Sequence, residues 1–156
     1  MKSNVYRSTL KISEVMDKDT VALIKDQYVN IGEVVVKADE LIAIGYGNDN
    51  TQQNAQGRIF AALMDAEGNE IEGKLRIMMA SSQNIPVGNP PVLLDVDLCT
   101  TRQGENDRIG QIPMPCSNQM LSKDKKIQFF VMADKDGQTV SKEKSVLLLD
   151  ITRTLV

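Results

Sequence analysis

Residues 58–81 constrain this chain more than any other stretch. In RIFAALMDAEGNEIEGKLRIMMAS, Ile71, Leu75, Ile77 and Met79 fall on one parity and Glu72, Lys74 and Arg76 on the other, with Gly73 the only gap. A repeat of two sends successive side chains to opposite faces, so this half describes a strand with one wet face. Upstream, residues 59–64 are apolar on both parities, which suits a strand buried on two sides or central in a sheet. Asp65, Gly68 and Asn69 between them tolerate a tight reversal. Together they predict a β-hairpin.

The rest of the chain reads the same way. Leu10, Ile12 and Val15 suggest a first strand over residues 9–15, and residues 20–25 suit a strand or one helical turn. Val34–Val36 and residues 41–46 form strand-like runs. Residues 48–57, NDNTQQNAQG, contain no apolar side chain except Ala55 and are expected to form a polar loop, as are residues 100–108. Prolines in SSQNIPVGNPP place residues 81–91 on an edge or between sheets. Val92, Leu94, Val96 and Leu98 alternate with Asp95 and Asp97, a strand, and residues 109–115 suit an edge strand. A last hairpin is expected from residues 127–133 and 144–152. Its reversal matches the first, Asp134, Gly137 and Val140 standing where Asp65, Gly68 and Ile71 stand. Shared turn chemistry accounts for that match more readily than duplication.

About eight or nine short strands and no sustained 3.6 period describe an all-β fold. At 156 residues the chain fits an eight-stranded jelly-roll sandwich or barrel. The division expected is an N-terminal arm over residues 1–8 and a single jelly-roll domain over residues 9–156. A net charge of −3 gives no basic field for a phosphate backbone, so no direct nucleic-acid partner is expected. Lacking a signal-peptide pattern and a spanning apolar run, the chain is expected to be soluble and made in the cytosol.

The chemistry is mostly excluded. The absence of histidine removes His-based nucleophile pairs and His-rich metal centres, and neither a P-loop nor GxGxxG is present. Gly45-Tyr46-Gly47 closes a strand and is better read as a tight turn than as a phosphate loop. Asp134-Lys135-Asp136-Gly137 lacks the further ligands of a calcium loop. Asp95 and Asp97 share a strand face and are the one candidate carboxylate pair, although a solvated strand face is the commoner explanation and no partner acid or base is identifiable. Cys99 and Cys116 show no CxxC spacing; free thiols or a Cys99–Cys116 disulfide are both open. No catalytic, cofactor-binding or metal-binding residue is assigned, no cofactor is expected, and the chain is not expected to be an enzyme.

Residues 41–82, in which GYG closes a strand before a polar loop and then GRIFAALMDAEGNEIEGKLRIMMASS, resemble the small β-barrel capsid proteins of tailless icosahedral viruses of archaea and thermophilic bacteria. So do LSKDKK at residues 121–126, the strand IQFFVMA and the closing SVLLLDITRTLV. The resemblance spans about two thirds of the chain and lies in strand order, hairpin spacing and turn placement. It implies a self-assembling virion subunit, capsid or capsid-decorating, whose partners are its own copies and other shell proteins. A shell of acidic subunits would stand apart from the genome, apposed to an internal membrane or other proteins. The alternative is a carbohydrate- or ligand-binding β-sandwich using loops 48–57 and 100–108, although the chain has no Trp and only three Tyr and three Phe to stack on sugar rings.

Overall fold

Period-two patterning becomes two packed sheets. The computed structural model describes residues 5–48, 51–88, 91–101, 112–114 and 121–155. In chain order the elements are β1 (Val5–Lys11), α1 (Ile12–Val15), β2 (Thr20–Ala22), β3 (Tyr28–Val35), β4 (Glu40–Ile44), β5 (Tyr46–Asn48) and β6 (Thr51–Ala62). They continue with β7 (Gly73–Ser81), β8 (Val92–Asp97), α2 (Leu98–Thr101), β9 (Ile112–Met114), β10 (Lys125–Ala133), β11 (Thr139–Ser141) and β12 (Val146–Leu155).

The first sheet runs β1-β12-β6, with β9 beyond β6, and the second runs β3-β10-β7-β8. β4 and the end of β6 lie one after the other along the same side of β12, against residues 155–151 and 149–146. They therefore share one strand position, and each sheet has four positions. All these pairings are antiparallel. With neighbours in a sheet coming from distant parts of the chain, this is the expected all-β jelly roll. The inner faces, Leu10, Ile42, Ile59, Leu149 and Ile151 from one sheet and Leu75, Ile77, Phe129 and Val131 from the other, share one apolar cluster. Burying each such side chain is worth about 1.5–3 kcal/mol, against at most about 1 kcal/mol for an exposed ion pair, so the inner faces decide the fold.

Both expected hairpins are corrected. Asp65 and Gly68 do reverse the chain, through Asp65 N–H to Asn69 O (2.9 Å) and Ile71 N–H to Leu63 O (2.9 Å). The arms then part, β6 into the first sheet and β7 into the second. Gly73 marks the parting. Its φ is +154°, and a Cβ there would overlap the carbonyl oxygen of Met132, so only glycine lets β7 settle against β10. The arms of the last reversal divide in the same way, β10 in the second sheet and β12 in the first. Parity names the face a side chain takes; it does not name the neighbouring strand.

Four further boundaries differ from expectation. The N-terminal arm over residues 1–8 is corrected for residues 5–8, which lie in β1 and pair with residues 151–154 of β12; residues 1–4 lie outside the described residues. A backbone ladder needs no apolar side chain, which is why composition missed it. Residues 12–15 are a helical turn, for Ile12, Val15 and Met16 keep i, i+3, i+4 spacing, with Val15 and Met16 fully buried. Residues 51–57, expected in a polar loop, begin β6. Val92–Asp97 is a strand as expected, but Leu98 opens α2.

Candidate functional site

The outer face of the second sheet carries its most organised polar cluster. Arg76 on β7 stands directly opposite Asp95 on β8. The Arg76 guanidinium donates twice to Asp95 Oδ2, from Nη2 at 2.7 Å and from Nε at 3.2 Å. Tyr28 on β3 donates its hydroxyl to Asp95 Oδ1 at 2.6 Å, reaching across β10 and β7. Arg76 Cζ also lies 3.9 Å from the Tyr28 ring centroid, a cation–π contact.

The electrostatics follow from this geometry. Partial burial pushes the Asp95 carboxyl up, but the Tyr28 and Arg76 hydrogen bonds and the Arg76 and Lys74 charges outweigh it, leaving the carboxyl below its ordinary value. Partial burial, with the bond to Asp95, raises the Tyr28 hydroxyl. The bond to Asp95 raises Arg76. Both Asp95 oxygens are engaged and the carboxylate is held ionised, so it is poorly suited to proton transfer. Asp97 is exposed and stands opposite Lys74. The two aspartates share a face but not a partner, and the cluster joins three strands into a rigid patch. The sequence contained Arg76 and Asp95 on wet faces; their register and the part of Tyr28 were not visible there.

The other candidates scatter. Gly45 leaves β4 at φ +86° and leads into β5, not into a helix. Asp134–Gly137 lies in the turn after β10, where Asp134 N–H donates to Glu72 O at 2.9 Å. Among the described residues, no group of three or more His, Cys, Asp or Glu side chains is placed to hold a metal ion. Cys99 is exposed and free; Cys116 and residues 102–108 of the second expected loop lie outside the described residues. Among those residues no helix is long and apolar enough to cross a membrane.

The two sheet-to-sheet reversals meet at one end of the sandwich. Met64 N–H donates to Ser145 Oγ (3.0 Å), and Ser145 Oγ in turn donates to Met64 O (3.3 Å). Ser141 N–H donates to the same Met64 carbonyl at 2.8 Å. β11 pairs with β2 beside them. This end is fastened by backbone and hydroxyl bonds.

No protein-family model matches the chain, and no curated protein matches it by sequence. Among solved structures it is similar to the complex of VP16 and VP17, the two major capsid proteins of bacteriophage P23-77. The TM-score is 0.63 at 7% identity, covering 97% of this chain and 99% of that one. It is also similar to VP17 of the same phage, with a TM-score of 0.57 at 6% identity over 97% of this chain and 96% of that one. Identity this low shows the fold, and the match runs nearly end to end in both chains.

Proposed function

We propose that this chain is a structural subunit of a virus shell, a single jelly roll that works through its outer surfaces. The observation that carries the reading is the likeness to phage capsid proteins over 97% of this chain. The fastened reversals and the Tyr28–Arg76–Asp95 patch support it, since both stiffen surfaces without building a reaction centre. Its partners would be copies of itself and a second shell protein, in line with the VP16–VP17 complex, and its place the virion. With a net charge of −3 it would face an internal membrane or other proteins more readily than bare genome.

Electron microscopy of the purified full chain, alone and co-expressed with the other shell proteins of its source, tests this. Regular shells, sheets or capsomers are expected. A monodisperse monomer at high concentration that joins no ordered assembly in either preparation would overturn the reading.

A further inference from the structure

The two sheet-to-sheet reversals share an aspartate, a glycine and an apolar residue in step, but the acid before the glycine differs by one methylene. In the first, Gly68 follows Glu67, and its N–H is engaged, donating to Asp65 O at 3.0 Å. The Asp65 carboxylate is tied as well, by N–H groups of its own turn. In the second, Gly137 follows Asp136, which makes the chain's one Asp-Gly pair, and the chain has no Asn-Gly. Asp136 is exposed. Among the described residues neither its carboxylate nor the Gly137 N–H has a hydrogen-bond partner. Gly137 has a φ of +77°, and even a Cβ built there would meet nothing within 4 Å.

That combination defines a reaction. The amide nitrogen that follows an aspartate can close a five-membered ring on the side-chain carboxyl carbon. A side chain on the next residue or a hydrogen bond from the N–H ordinarily restrains it. Glycine has no side chain and the widest backbone freedom, and here its N–H is unengaged. At the first reversal the same closure would need a six-membered ring through Glu67 and the loss of the bond to Asp65 O.

We propose that Asp136 is a site of spontaneous isomerisation from aspartate to isoaspartate. The Gly137 nitrogen bonds to Asp136 Cγ, and the hydroxyl of the protonated carboxyl leaves with the amide proton as water, closing a succinimide. Water then adds to one of the two ring carbonyls. Opening at Cγ restores aspartate. Opening at the main-chain carbonyl breaks its bond to the Gly137 nitrogen and leaves the chain running through Cγ, with the old main-chain carbonyl as a free carboxylate. Water is the only co-reactant, and the mass of the chain is unchanged.

The consequence falls on a corner held by its neighbours. Isoaspartate adds a methylene to the main chain between Asp134, whose N–H is tied to Glu72 O (2.9 Å), and Gln138, whose carbonyl accepts the Leu23 N–H (2.9 Å). The added length between two fixed points strains the short β11–β2 ladder that follows.

Ageing the purified full chain, folded and in guanidinium chloride, tests this. Isoaspartyl groups are counted as methyl groups accepted from S-adenosylmethionine through an isoaspartyl methyltransferase, and located by electron-transfer fragmentation. The folded chain should gain them at Asp136 within about tenfold of the unfolded rate, and Asp136→Glu, which keeps the charge but needs the larger ring, should gain about tenfold fewer. The aged unaltered chain should melt below the fresh one, and aged Asp136→Glu should not. A folded rate more than about tenfold below the unfolded one, or as many isoaspartyl groups in Asp136→Glu, would overturn the site. Equal softening of aged Asp136→Glu would overturn the strain assigned to the β11–β2 ladder. None of these readouts depends on shell assembly.

Discussion

The reversal at residues 65–70 carries the chain from the first sheet to the second, and the one at residues 134–138 brings it back. Their chemistry matches position for position. Gly68 and Gly137 have φ of +85° and +77°, and Ile71 and Val140 are both fully buried. Their support differs. The first is tied internally, with Asp65 Oδ1 accepting the N–H groups of Asn69 (2.8 Å) and Glu67 (3.0 Å). The second leans on its surroundings: Leu23 N–H donates to Gln138 O (2.9 Å), Asp134 N–H to Glu72 O (2.9 Å), and β11 rests on β2. One turn chemistry thus serves two corners, one tied by its own aspartate side chain and one by bonds to neighbouring segments.

The largest expected effect tests where the first corner releases its strand. Gly73→Ala combines an unfavourable φ with backbone overlap at Met132 and should cost about 3–5 kcal/mol, read from urea unfolding. A cost below about 1 kcal/mol would show that β7 reseats easily. Next comes the fastening between the corners. Ser145 is buried, and Ser145→Ala strands the Met64 N–H, for an expected loss of about 1–3 kcal/mol. Gly68→Ala and Gly137→Ala both place a side chain at positive φ in open space and should each cost about 1 kcal/mol. Equal losses would support the match between corners, and a marked inequality would break it.

The smallest effect depends on pH. Hydrogen bonds from the Asn69 and Glu67 N–H groups hold the Asp65 carboxyl below 3.8. A carboxyl lowered on folding stabilises fully above its unfolded value, and that contribution disappears as pH falls through the folded one. The stability gap between the unaltered chain and Asp65→Ala should therefore be widest near neutrality and close progressively below pH 3.8. Melting curves at several pH values would show it, and a gap independent of pH would argue that Asp65 acts without its charge.

Much of this could be read from the residues. The parity of Leu75, Ile77 and Met79 names the inner face correctly, for all three are buried, and the skipped beat at Gly73 marks where the strand changes sheets. Pairing was less legible, because alternation specifies a face and leaves the neighbour open. So β6 and β7 looked like partners although they lie in different sheets. Composition misled at residues 5–8 and 51–57, polar stretches that nonetheless pair in strand ladders. The Arg76–Asp95–Tyr28 cluster needed register across four strands, which no local pattern carries.

The strand position shared by β4 and β6 has one more consequence. Because the hydrogen-bond ladder to β12 closes over the gap at Gly45, the intervening residues can lengthen, shorten or change character while the interior keeps its arrangement. A lineage of such proteins would be free to rewrite that excursion, adapting who it touches without disturbing how it folds.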